Sequence, residues 1–105
     1  MTCYAGNTTT TTPTIATATS TTILTANGAR QFLLIQNNSA ADIAIGFEGQ
    51  TLTGIAPTSS NKCFVLKSTA GLNTIKFDGN FVPAGAITAY QTSGGTINTV
   101  TVIAG

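Results

Sequence analysis

The stretch Arg30-Gln-Phe-Leu-Leu-Ile-Gln-Asn-Asn-Ser-Ala-Ala-Asp-Ile-Ala-Ile-Gly-Phe-Glu-Gly49 decides how this chain is read. Phe32 to Ile35 is a short apolar run, the pattern of a strand buried on both faces. Asn37-Asn38-Ser39 interrupts it with side chains that bond their own backbone and favour a turn. Ile43, Ile45 and Phe47 then recur at period two, with Asp42, Ala44 and Gly46 between them, as in a half-buried strand. The pair reads as a β-hairpin. A lone hairpin is at best marginally stable in water, so the remaining chain must supply more sheet.

Working outward, Thr22-Ile-Leu-Thr-Ala predicts a preceding strand, and Asn27-Gly28 is a strong turn signal. Downstream, residues 50–61 carry a weak strand at most and a loop around Pro57. Lys62-Cys-Phe-Val-Leu-Lys67 reads as a strand with charged ends. Residues 68–72 form a turn containing Gly71, and Asn73-Thr-Ile-Lys-Phe-Asp alternates with Ile75 and Phe77 inward and Lys76 outward. Gly79-Asn80 turns the chain, Ala86-Ile-Thr-Ala-Tyr is a short strand, Ser93-Gly94-Gly95 is a tight turn, and residues 96–103 close the sheet. Short strands at turn spacings near ten residues, without helical periodicity, predict an all-β fold. The expected architecture is a single small β-sandwich or barrel, jelly-roll or immunoglobulin-like, spanning residues 21–105.

Ahead of it, residues 1–20 read as a Thr-rich extended N-terminal arm. Thr is β-branched and prefers extended backbone, Pro13 blocks helix, and Ile15 is nearly alone as a large apolar side chain. Such a segment is either a loose leader or an arm that orders against a neighbouring subunit. Its Thr alternation occurs once rather than at a repeated period, which argues against a Thr-ladder fibre.

A chain of 105 residues is one domain. It is 42% hydrophobic but only 7% charged, where about a quarter is usual. Little like-charge repulsion keeps copies apart, so the composition points to a protein that works within an assembly, through apolar burial and backbone pairing. The cations Arg30, Lys62, Lys67 and Lys76 are scattered and give a net charge of +1. That is far short of the roughly six to ten phosphate contacts of a DNA binder, so no nucleic-acid partner is expected. No secretory signal is legible, and no run approaches the ~18 apolar residues of a membrane span, so no membrane partner is expected either. Cys3 and Cys63 are expected as two free thiols in a reducing cytosol, Cys63 as a small buried hydrophobe.

Chemistry is sparse. The chain has no histidine, the commonest general base and metal ligand. Its carboxylates are Asp42, Glu48 and Asp78, and the first two, six positions apart on one strand, would be about 20 Å apart rather than facing each other. Cys63 has no histidine to activate it. Ser-Gly-Gly-Thr at residues 93–96 lacks the lysine and spacing of a phosphate loop. The expectation is a non-enzyme with no cofactor, no catalytic residues and no metal site.

Phe32-Leu-Leu-Ile-Gln-Asn-Asn-Ser-Ala-Ala-Asp-Ile-Ala-Ile-Gly-Phe-Glu and Phe77-Asp-Gly-Asn-Phe-Val-Pro-Ala-Gly-Ala-Ile-Thr-Ala-Tyr resemble small β-domain structural proteins of tailed bacteriophages, of the capsid decoration or head-fibre kind. The resemblance runs from Arg30 to the end, and its motifs are fold-like rather than catalytic. It implies a virion structural protein, most simply a decoration (cement) protein that stabilises the head shell. The implied partners are the major capsid protein or other virion subunits, in a homo-oligomer or multi-copy assembly. The implied location is the capsid surface of the virion, after synthesis in the host cytoplasm. A tail or baseplate component is the alternative within that class. A carbohydrate-binding or adhesin module is the alternative outside it, although Trp is absent and the tyrosines are Tyr4 and Tyr90. Candidate partner contacts are Thr8, Thr9, Thr10, Thr11, Thr12 and Ile15 in the arm, and Phe81, Val82 and Pro83. That last segment either caps the end of the core or projects an apolar tip, as aromatic anchors do at interfaces.

Overall fold

In the computed structural model, residues 8–78, 81–92 and 99–105 are described. Eight strands follow in order: β1 Thr9–Thr11, β2 Thr21–Leu24, β3 Phe32–Asn37, β4 Ile43–Gly46, β5 Phe64–Leu66, β6 Thr74–Asp78, β7 Ile87–Tyr90 and β8 Val100–Ala104. No helix occurs among the described residues. Two four-stranded sheets result, one ordered β1-β8-β3-β6 and the other β2-β7-β4-β5, and every pairing within them is antiparallel. From β2 to β7 the strands stand where the period-two pattern and turn residues place them, whereas β1 lies in the segment read as an arm. The turns expected at Gly79-Asn80 and Ser93-Gly94-Gly95 lie outside the described residues, as does Cys3.

The faces that meet between the sheets carry β-branched and leucine side chains. Leu33, Ile35, Val100 and Val102 come from one sheet and Ile23, Ile43, Ile45, Leu66 and Ile87 from the other, in one buried cluster. Full burial of each such side chain stabilises by about 1.5–3 kcal/mol relative to exposure. β3 alternates strictly, with Leu33, Ile35 and Asn37 buried and Phe32, Leu34 and Gln36 half-buried. The expected strand buried on both faces is therefore a strand with one fully buried face. β4 departs the other way: all of its residues are buried. Ala44 packs in a second cluster with Leu52 and Tyr90, beneath the connection that follows β4. That connection approaches so closely that a Cβ on Gly46 would lie 2.9 Å from Leu52 Cδ2 and 2.7 Å from Thr88 Oγ1.

The central hairpin is the clearest correction to the sequence reading. β3 pairs with β6 and β8, and β4 pairs with β5 and β7, so the two strands lie in different sheets. The polar residues between them form a corner from one layer to the other. Asn37, at the end of β3, is buried and holds that corner. Its Nδ2 donates to Ala41 O at 2.8 Å and to Leu66 O at 3.0 Å, and its Oδ1 accepts from Ser39 N at 2.8 Å. Leu66 belongs to β5 of the opposite sheet, so one side chain ties the corner to the strand it must meet.

The leader is laid along the sandwich from Thr9 onward. Thr9, Thr10 and Thr11 pair with Ala104, Ile103 and Val102 of β8. Thr14 bridges Thr99 and Thr17 bridges Gln91. Ile15 is 1% exposed, inside the main cluster. Gln91, also buried, donates from Nε2 to Ile15 O at 3.3 Å and to Thr17 Oγ1 at 3.0 Å. The domain boundary expected at residue 20 falls between β1 and β2, and the described residues on both sides of it contribute strands.

Candidate interaction surfaces

The residues singled out from the sequence separate into three environments. Thr8 to Thr12 are exposed, and β1 forms an end strand of its sheet. Its threonines therefore present hydroxyls, and one row of backbone groups, to solvent. Ile15 is buried and unavailable to a partner in this state. The Phe81-Val82-Pro83 segment divides: Phe81 is 66% exposed, Val82 packs on the main cluster, and Pro83 is buried. Val82 and Pro83 are thus drawn into the fold, while the Phe81 ring stands out from it.

Phe81 terminates an aromatic row along the side of the sandwich where β5 and β6 lie. Phe47 tilts against Phe64 with ring centroids 6.1 Å apart, and meets Phe77 edge-on at 5.6 Å. Phe77 in turn meets Phe81 edge-on at 6.0 Å. Edge-to-face pairs at these distances are favourable beyond their buried area, so the row orients the exposed ring.

Pro83 is held from behind by a residue that sequence reading left among scattered cations. Arg30 is buried, and its guanidinium donates to the carbonyls of Pro83, Gly85 and Thr25. These carbonyls flank the chain before β3 and the chain before β7, so Arg30 pins two connections together at one end of the sandwich. No carboxylate among the described residues pairs with it. Burial pushes its pKa down, yet a guanidinium remains protonated, and carbonyl dipoles rather than an anion balance the charge. Arg30 lines a shallow cleft of about 210 Å³, together with Thr9, Thr11, Thr25 and Asn27. A lone arginine before an apolar run gives no local sign of this clamp, because its acceptors lie up to 55 positions away.

The groups that carry chemistry elsewhere are dispersed. Asp42 forms an ion pair with Lys67 at 3.1 Å and accepts from Ser68 N. Glu48 is exposed at a left-handed turn with φ of 59°. Cys63 is half-buried beside the second cluster, and burial pushes its thiol pKa up, away from the reactive thiolate. Asn61 shapes the connection ahead of β5, donating to Gly54 O and Ala56 O at 2.9 Å each and accepting from Thr53 N at 2.8 Å. Among the described residues no three His, Cys, Asp or Glu side chains are grouped to hold a metal ion, and no helix is long and apolar enough to cross a membrane.

The open edges are the remaining feature. Among the described residues, β1, β6, β2 and β5 end the two sheets. β2 carries a register irregularity between Thr22 and Leu24, and β5 is short and bracketed by Lys62 and Lys67. β6 is the longest of the four and pairs with β3 in unbroken register. Its outer side chains include Lys76 and Asp78, each 57% exposed and 3.7 Å apart. This Lys-x-Asp alternation was legible in the sequence, but its position on an open edge was not. No protein-family model matches the chain, and no curated protein or solved structure matches it either.

Proposed function

We propose that the protein is a non-enzymatic structural component of a bacteriophage virion, a jelly-roll domain that decorates and stabilises the capsid. The observation that carries this reading is the strand order. β1 pairs with β8, β2 with β7, β3 with β6 and β4 with β5, and these pairs alternate between the sheets. That nesting is what results when one long antiparallel ribbon is rolled into two facing sheets, the jelly-roll arrangement found in viral capsid domains, lectins and cupins. The chain has no histidine to build a cupin-type metal site. A lectin-like sugar site favours an exposed aromatic platform; Tyr90 is buried, which leaves Phe81 as the exposed ring among the described residues. The low charge, the threonine hydroxyls along β1 and the exposed Phe81 fit attachment to a protein shell. The half-buried outer face of the β1-β8-β3-β6 sheet is the docking side in this reading.

The test is to add the purified protein to phage heads that lack it and to measure copies bound and the temperature at which the shell ruptures. Saturable binding with a raised rupture temperature is expected. Binding to tails instead of heads would move the protein to the tail or baseplate. Binding to glycans on an array, with none to particles, would replace the reading with an adhesin.

A further inference from the structure

We propose that β6 is a self-pairing edge, through which two copies of this chain join antiparallel across a two-fold axis at Phe77. The proposal stands apart from the capsid reading, since it concerns the chain and itself alone.

The direction of the backbone groups comes first. Asn37 N donates to Asn73 O at 2.7 Å, and the ladder continues through Ile35 opposite Ile75 and Leu33 opposite Phe77. In an antiparallel pair, hydrogen-bonding residues alternate with residues whose N–H and C=O point away. Residues 73, 75 and 77 therefore bond β3, and Thr74, Lys76 and Asp78 turn their backbone groups outward. Among the described residues β6 ends its sheet, and no described strand lies beside this outward row. Of the four end strands, β6 combines the greatest length with an unbroken register.

Symmetry then limits the choices. A two-fold pairing of β6 with itself must place outward residues opposite outward residues, or its hydrogen bonds cannot form. An axis at Lys76 sets two ammonium groups opposite each other, and an axis at Asp78 sets two carboxylates opposite each other. Both are unfavourable. An axis at Phe77 places Lys76 of each copy opposite Asp78 of the other, so two cross-strand ion pairs form where like charges would otherwise meet. Every axis centred on a residue of β6 keeps the hydrogen-bond parity, and among them the axis at Phe77 is the one that sets opposite charges across the seam.

The apolar surface agrees with that axis. Phe77 of each copy becomes a directly opposed, non-hydrogen-bonded pair, in which side chains approach most closely. Phe81 stands edge-on to Phe77 and is 66% exposed, so the two Phe81 rings fall at the seam beneath the joined sheet. A sheet ordered β1-β8-β3-β6 continues into its symmetry mate, and a large exposed aromatic side chain is covered.

Sedimentation equilibrium over a wide concentration range reads the association, with K76D, D78K and F81S as variants. The parent chain is expected to dimerise. K76D alone and D78K alone each set like charges across the axis, weakening the dimer by roughly tenfold. An equimolar mixture of the two single variants restores complementary pairs, so a mixed dimer is expected at close to parental affinity. F81S should weaken the dimer by at least about tenfold, with only a small fall in the melting temperature of the monomer from the lost edge-on contact with Phe77. Lys76, Asp78 and Phe81 are exposed, so the monomer fold survives each change. A parent that stays monomeric throughout would overturn the proposal. So would single charge reversals that dimerise like the parent, or a mixture no tighter than its components.

Discussion

Over the outer face of the β2-β7-β4-β5 sheet lies the connection between Phe47 and Cys63, whereas Leu34 and Ile103 on the outer face of the other sheet remain half-buried. The covered sheet shows the consequence in its strands: β4 and β7 are buried at every position. In the other sheet Thr10, Ile103, Leu34 and Lys76 stand side by side across β1, β8, β3 and β6, as a row of mixed character facing solvent. The same sandwich thus has a sealed side and an open side. A loop with few regular hydrogen bonds does the sealing by inserting Leu52, and Thr88 Oγ1 secures it by donating to Gln50 O at 2.6 Å. The comparison teaches that burial in this fold is decided by which connection is long enough to cross a sheet, and not by strand pattern alone.

The largest effect is expected where the leader enters the layer shared by both sheets. Ile15→Ala removes a fully buried side chain held near Gln91, and should cost about 2–5 kcal/mol of stability in denaturant titration. A loss below about 0.5 kcal/mol would mean that residues 8–20 do not contribute to the folded domain in solution. Next comes the seal itself. Leu52→Ala should cost about 2–3 kcal/mol and speed amide exchange in β4 and β7 more than in β3 and β8. Equal acceleration in both sheets would break the distinction between a sealed and an open side.

Gly46→Ala sharpens the same point, because the added methyl group meets Leu52, Thr88 and Gln50 within 3.0 Å. A cost of about 1–3 kcal/mol is expected from overpacking. The matching change on the open side, Leu34→Ala, should cost under about 1 kcal/mol, because half of that burial is absent to begin with. The smallest effect concerns Cys63. Its raised thiol pKa leaves the folded chain holding a proton that the unfolded chain has released above the ordinary thiol range. Stability is therefore flat below that range and declines as pH rises through it towards the folded value. Labelling by a thiol reagent at neutral pH should be slower in the native than in the unfolded protein.

These contrasts also show what could be read from the sequence and what could not. Alternation at Ile75, Lys76 and Phe77, or at Ile43 and Ile45, reports local geometry, and the strands stand where that alternation occurs. Asn37-Asn38-Ser39 looks the same whether the chain reverses within a sheet or passes to the next one. What distinguishes the two is the bond from Asn37 to Leu66, 29 positions away. Leu52 sits among Gln50, Thr51, Thr53 and Gly54 with no period to mark it, yet it becomes core because Ala44, Gly46 and Tyr90 leave room beneath it. Arg30 reads as a scattered cation for the same reason: its acceptors are distant in sequence. Among the contact residues, the exposure of Phe81 was one of two alternatives open in the sequence, while the burial of Ile15 and Pro83 depends on contacts with Gln91 and Arg30.

The central claim is that the open side of the sandwich is the side that engages partners. Amide hydrogen exchange of the protein free in solution and bound to phage heads tests it most directly. The account predicts new protection in β1 at Thr9–Thr11, in β8 near Ile103 and along the outer edge of β6, with the connection from Phe47 to Cys63 unchanged. New protection confined to that connection, with β1, β8 and β6 exchanging as before, would contradict it.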